Sequence, residues 1–213
     1  MASKIPLELI DEIIGLLGTS EAWSACAVVS KAWTWPSQRW LFRKITLRTC
    51  KRWNSLMALL AGAPHVAVLI EHMRIGCQLS VEDTAQLREG CLSRVVSITY
   101  TGPWINLDIL DHFPNLSMLK VVASRHRRLR CIHTRGPPQT LRAFTLRCSS
   151  QRIRDLLNWA APDDTAIGSH LVYISIGLDG RSDTGLQSQV DALSHCLRVH
   201  APVSYTHLRA PRD

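Results

Sequence analysis

The feature that most constrains the fold is an apolar triplet that recurs along most of the chain. In each copy an aliphatic residue is followed three and five positions later by further apolar residues, and the last two alternate as on a β-strand. The copies are Ile70/Met73/Ile75, Val95/Ile98/Tyr100, Leu116/Leu119/Val121, Leu141/Phe144/Leu146 and Leu171/Ile174/Ile176. Their first residues are 25, 21, 25 and 30 positions apart. Such spacing predicts parallel strands that stack side by side and bury one shared apolar face.

The segments between these strands have helical patterns at 81–90, 107–112, 151–160 and 186–197. The triplets and their spacing resemble leucine-rich repeats, in which strand–helix units recur at roughly 20–29 residues. "FPNLSMLKV" shows the unit most clearly, because Pro114 and Asn115 mark the turn before its strand. We therefore expect Leu119 and Leu146 to be buried in neighbouring units. The alternative is an α/β domain without repeats, since such triplets also arise by chance.

The N-terminal segment predicts three short helices. Apolar residues at 5, 9, 10, 13, 14, 16 and 17 have helical spacing, and Gly18 is placed to end that helix. Thr19 or Ser20 can cap a second helix in "EAWSACAVVS". A third, in "KAWTWPSQRWLF", is predicted to be interrupted at Pro36, and "RKITLRT" then has the alternation of a strand.

The first of these helices carries more apolar side chains than a small module needs. They cover nearly half of its circumference, and three short helices cannot bury all of them internally. The surplus predicts a partner or a following domain against this helix.

This region resembles an F-box in three segments, "IPLELIDEIIGLL", "AWSACAVVSKAW" and "RWLFRKITL". The segments are similar to those of F-box proteins from mushroom-forming fungi. The matching positions are Ile5, Pro6, Glu8, Leu9, Ile13, Leu17, Val29, Ser30, Trp33, Leu41 and Phe42. The sequence departs from the family pattern at Gly15, Gly18, Trp23, Trp35 and Pro36. F-box proteins frequently carry leucine-rich repeats, so the two halves of the chain agree.

The resemblance implies a bridging function without catalysis and without a cofactor. The F-box would dock on a Skp-family adaptor, which itself binds a cullin scaffold. The repeats would present a protein substrate for ubiquitin transfer. The implied adaptor contacts are Ile5, Pro6, Leu9, Ile13, Leu17, Val29 and Trp33. Leu9 and Ile13 have an alternative place in the internal core, and Trp33 has one as a core anchor.

A basic run, "RHRRLRCIHTR" at 125–135, is a local source of the net charge of +8. Its arginines are Arg125, Arg127, Arg128, Arg130 and Arg135. The run favours a solvated loop between strands, because no aromatic residue lies between 114 and 143 to stack on bases. The alternative function is a scaffolding or nucleic-acid-associated repeat protein that uses this run.

The seven cysteines form no C-x-x-C pair, and the N-terminus does not resemble a secretory signal. We therefore expect reduced thiols in the cytosol or nucleus. His126, Cys131 and His133 do not have the spacing of a metal site. Hydrolase and phosphate-binding motifs are absent from the sequence, and no stretch approaches the roughly 20 apolar residues that span a bilayer.

The predicted organisation is an F-box at 1–48, an incomplete repeat region at 49–202 and a foreign tail at 203–213. The tail begins "VSYTHLRA", which matches a translated transposase sequencing adapter, and "PRD" matches a neighbouring frame of the same adapter. The expected fold class is therefore α/β, or α+β overall, with a three-helix module before a truncated strand–helix solenoid.

Overall fold

The computed structural model describes residues 5–80, 83, 87, 91–101, 104–122, 130–132, 137–148, 159 and 173–178. Three helices come first: α1 (Leu7–Leu16), α2 (Ser20–Val29) and α3 (Lys31–Arg43). Gly18 has a φ of 70°, a left-handed conformation that glycine adopts without strain, and it ends α1 as predicted. The Thr19 hydroxyl accepts a hydrogen bond of 3.2 Å from the Ala22 N–H, so Thr19 is the cap of α2. Both α1 and α2 pack against α3.

The interruption predicted at Pro36 is wrong. Helix α3 continues through this residue to Arg43, and Pro36 is buried. A proline inside a helix removes one backbone hydrogen bond and typically costs about 3 kcal/mol. Here α3 is the helix against which both α1 and α2 pack, so burial offsets the local cost. The Thr34 hydroxyl also ties the start of α3 to α2 by donating a hydrogen bond of 3.0 Å to the Ala27 carbonyl.

Helix α3 passes into the first strand, β1 (Lys44–Leu47), with no residue between them. The junction is fixed from the side by Glu71. The Arg43 Nε donates to Glu71 Oε2 at 2.8 Å, and the Glu71 N–H donates to the Arg43 carbonyl at 3.1 Å. The sheet therefore begins inside the segment 1–48 that the sequence assigns to the helical module.

Among the described residues, the main sheet has six strands, all paired in parallel. They are β1, β2 (His72–Ile75), β3 (Ser97–Tyr100), β5 (Met118–Val122), β7 (Ala143–Cys148) and β8 (Tyr173–Leu178), in that spatial order. A second, two-stranded parallel sheet pairs β4 (Trp104–Asn106) with β6 (Arg130–Ile132). The prediction of parallel strands at the apolar triplets is confirmed, and the structure is a mixed α/β fold.

Each described unit enters its strand in the same way. The first residue of the triplet donates its N–H to the carbonyl three residues earlier. These bonds are Ile70 to Ala67 at 3.3 Å, Val95 to Leu92 at 3.1 Å, Leu116 to Phe113 at 3.0 Å and Leu141 to Pro138 at 3.0 Å. The same four residues are buried. The tight turn thus points an aliphatic side chain into the core just before each strand.

The core lies on one face of the sheet. The second and third residues of the triplets pair in register across the strands, as in Met73–Ile98–Leu119–Phe144 and Ile75–Tyr100–Val121–Leu146. All eight are buried, including Leu119 and Leu146 as predicted. Helix α4 (Cys50–Gly62), which the sequence analysis missed, adds Trp53 and Leu56 to the same cluster.

The connecting segments are tighter than predicted. Residues Leu107–His112 form a 3₁₀ helix where the sequence predicted a helix, and a second 3₁₀ helix spans Pro64–Leu69. The predicted helices at 81–90, 151–160 and 186–197 lie outside the described residues, apart from isolated positions. In the part of the chain that the structure describes, no helix combines the length and the apolarity needed to cross a membrane.

Candidate partner-docking surface

An apolar row runs along the solvent side of α1. Its members are Ile5, Leu9, Ile13 and Leu17, which follow one another at intervals of four residues and are 40–51% exposed. Leu16 beside them is 86% exposed. On the other side of the helix Ile10 and Ile14 are buried. The helix therefore divides its aliphatic side chains between a narrow internal contact and a wide exposed row, and Leu9 and Ile13 do not belong to the core.

The other predicted contacts have different environments. Pro6 is exposed and caps α1, and its carbonyl accepts the Ile10 N–H at 3.2 Å. Val29 is 67% exposed at the end of α2, next to Val28 at 85%. Trp33 is half-buried at the start of α3. The structure thus groups four predicted contacts on α1 and places Val29 and Trp33 at the junction of α2 with α3.

A tryptophan cluster explains why α1 sits with this row outward. The Trp40 ring lies against Gly15, where an added Cβ would come within 2.7 Å of Trp40 Cζ2. Trp23 stacks on Trp40 with ring centroids 5.9 Å apart, and its Nε1–H donates to the Ile14 carbonyl at 2.8 Å. Gly15 and Trp23, two departures from the F-box pattern, therefore fit one another through Trp40.

The side chain of Asp11 also holds α1 against α3. Its Oδ1 accepts the Trp40 Nε1–H at 3.2 Å, and its Oδ2 accepts from Arg39 at 3.3 Å. The sequence analysis did not predict these contacts of Asp11. Its partners lie 28 and 29 residues away, so helical spacing alone gave no signal for them.

The basic run is only partly described. Arg130 belongs to β6 (Arg130–Ile132), so this part of the run is a paired strand and not the loop that the sequence favoured. Arg125, Arg127, Arg128 and Arg135 lie outside the described residues, as do His126 and His133. In the described part of the chain no group of three or more histidine, cysteine or acidic side chains could hold a metal ion.

Two buried ionisable groups lie at the end of β2 and β3. Burial raises the pKa of the Cys77 thiol to about 11, with a smaller contribution from the Cys50 thiol nearby. Burial also raises the pKa of the Tyr100 hydroxyl, which donates to the Cys77 carbonyl at 3.3 Å. Both groups are therefore neutral at physiological pH, and both belong to the packing of the sheet.

Comparison with known proteins finds no matching family model and no matching curated protein.

Proposed function

We propose that this chain is the substrate-recognition adaptor of an SCF-type (Skp–cullin–F-box) ubiquitin ligase. The first three helices act as the F-box and bind a Skp-family adaptor, and through it a cullin scaffold. The parallel strands belong to an irregular leucine-rich-repeat-like solenoid that presents a protein substrate. The chain itself performs no chemistry.

The observation that carries this proposal is the exposed apolar row of α1. Burying an aliphatic side chain fully contributes about 1.5–3 kcal/mol. The four residues of the row are each about half exposed, so covering them would contribute roughly 3–6 kcal/mol before the costs of association. Monomeric proteins rarely leave contiguous apolar patches of this kind uncovered. The F-box resemblance identifies the class of partner that would cover it.

The sheet supports the second half of the proposal. Its units share a buried turn, a short strand and parallel pairing in register. Side chains also join successive units: the Asn115 Nδ2 donates to the Ser93 carbonyl at 2.7 Å, and the Ser117 Oγ donates to the Val96 carbonyl at 3.1 Å. A stack of such units offers one continuous surface for binding another protein.

The thiols favour the compartment in which such a ligase works. Cys26, Cys50 and Cys77 are free thiols. Free thiols are typical of the cytosol and nucleus, where this function belongs.

The test is capture of a purified fungal Skp-family protein by the full chain. We expect binding at micromolar concentration. Replacing Ile5 and Pro6 together by alanine should weaken binding by about 1–3 kcal/mol, because central apolar anchors dominate interface energies. Ile13→Asp should abolish it, since the interface would bury an unpaired carboxylate.

The matched control is Leu59→Asp on α4, which introduces the same charge at a residue that is 37% exposed in another region. It should bind the Skp-family protein as the unmodified chain does. Circular dichroism should be equal for all variants. No capture by the unmodified chain would refute the F-box function, and unchanged binding by the Ile5/Pro6 variant would put the contact elsewhere.

A further inference from the structure

The face of the sheet opposite the core carries basic and hydroxyl side chains in rows. The middle row consists of Thr46, Arg74, Thr99, Lys120 and Thr145, which pair in register from β1 to β7. All five keep contact with solvent, whereas the residues on either side of them along the strands mostly point into the core. Hydroxyl and cationic side chains thus alternate across five neighbouring strands.

On the described strands this outer face carries basic side chains and no acidic one, and the nearby Glu71 carboxylate lies 4.0 Å from the outward-facing His72. Lys44 and Arg147 add two exposed cations at opposite ends of it. None of the outward-facing positions on the described strands β1, β2, β3, β5 and β7 is an aspartate or glutamate. Glu71, which directly precedes β2, is held by Arg43 at 2.8 Å. Among the residues that the structure describes, Arg74 and Lys120 form no ion pair.

We propose that the middle row binds an acidic segment of a protein. Neighbouring strands are about 4.8 Å apart, so the backbones at Arg74 and Lys120 are roughly 10 Å apart. A polypeptide in the polyproline II conformation rises about 3.1 Å per residue with three residues per turn, so acids three residues apart lie on one side of it, about 9 Å apart, and would reach both cations. The threonine hydroxyls on either side can donate further hydrogen bonds to the same carboxylates. The half-exposed Met118 on β5 offers an apolar contact beside the row.

A protein fits this face better than a nucleic acid does. Single-stranded nucleic acids are bound by aromatic side chains that stack on bases, combined with a groove of positive charge. None of the described outward-facing side chains is phenylalanine, tyrosine or tryptophan. The spacing of single cations between hydroxyls matches discrete carboxylates along a polypeptide. This inference rests on the proposed function only in identifying the acidic segment as part of a ubiquitination substrate.

The experiment measures binding of fluorescein-labelled decaglutamate to the full chain by anisotropy at physiological salt. Arg74→Glu combined with Lys120→Glu should weaken binding at least about tenfold, because two attractive contacts become repulsive. The control is Lys51→Glu combined with Arg52→Glu on α4, which changes the net charge equally at two exposed residues away from the row. It should change the affinity less than about threefold.

Three results would overturn the proposal: equal weakening by both double variants, no binding by the unmodified chain at about 100 μM, or tighter binding of a ten-nucleotide single-stranded DNA that the row variant abolishes. The first would indicate a net-charge effect and the third a nucleic-acid surface. The assay contains no Skp-family protein. Loss of adaptor capture with normal decaglutamate binding would therefore refute the proposed ligase function and leave this surface in place.

Discussion

The helical region and the sheet are built from similar aliphatic side chains but distribute them differently. In α1 and α2 only Ile10 and Ile14 are buried, whereas eight large apolar residues between Ile5 and Val29 are exposed. In β1, β2, β3, β5 and β7, where burial is described, the exposed large apolar residue is Met118, and a buried cluster extends from Leu47 to Trp159. The sheet therefore completes its own core, while the helical region leaves most of its large apolar side chains exposed.

The largest effect should come from the core of the sheet. Phe144 is fully buried and packs edge-on against Trp159, with centroids 6.1 Å apart. Phe144→Ala should lower the free energy of unfolding by about 3–5 kcal/mol, measured by urea denaturation. Met118→Ala, on the outer face of a neighbouring strand, should lower it by less than about 0.5 kcal/mol. Similar losses from both would mean that the two faces of the sheet do not differ as described.

A smaller effect is expected where the helical region is packed most closely. Gly15→Ala would place a Cβ 2.7 Å from the Trp40 ring, and overpacking of this kind typically costs about 1–3 kcal/mol. The tryptophan fluorescence should change as Trp23 and Trp40 separate. Gly62→Ala is the control, since nothing lies within 4 Å of its added methyl group. A neutral Gly15→Ala would contradict the close contact between α1 and α3.

Alkaline pH should destabilise the sheet through Cys77. The pKa of its thiol is about 11 in the folded chain, above the ordinary value for cysteine, so the folded state holds the proton more tightly. The stabilisation is complete below about pH 8.5 and is lost as the pH rises towards 11, at up to about 1.4 kcal/mol per pH unit.

Cys77→Ala should make this alkaline slope shallower. Cys26→Ala, in the helical region, should leave the slope unchanged. An unchanged slope in the Cys77 variant would show that this thiol is not responsible for the loss of stability.

The smallest effect is expected for the ion pair that joins the two regions. Arg43 and Glu71 are 37% and 22% exposed, so solvent screens their attraction. A double-mutant cycle with Arg43→Gln and Glu71→Gln should give a coupling energy of at most about 1 kcal/mol. The more exposed Arg39–Asp11 pair, within the helical region, should give less. A coupling energy of zero for Arg43–Glu71 would indicate that the side-chain pair does not stabilise the junction, which would then depend on the backbone hydrogen bond from Glu71 to Arg43.

The strands could be predicted from the sequence because a period of two and a recurring spacing are local signals. Thr19 and Gly18 were predicted for the same reason, since a cap and a helix stop depend on adjacent residues. Helix α4 was missed although Trp53 and Leu56 lie three residues apart on it. Its apolar positions become distinct only when the sheet is present to bury them.

The remaining differences come from contacts between distant residues. Pro36 continues its helix because two other helices pack on α3, and no local rule contains that information. The pairing of β4 with β6 joins residues 26 positions apart, and neither strand has more than three residues. At the candidate docking surface, helical spacing predicted which residues of α1 share a face. It could not predict that Trp40 and Asp11 would turn that face outward.

The direct passage from Arg43 into Lys44 has a mechanical consequence. Because no loop connects helix and strand, a hinge motion would have to break the last turn of α3 or the pairing of β1 with β2. The outer side of α1 and the outer side of the sheet therefore keep a fixed position relative to one another. If both surfaces bind the molecules proposed above, these molecules are held at a set distance from one another. The distance between the two surfaces, as well as the affinity of each, then determines which parts of the two bound molecules can come into contact.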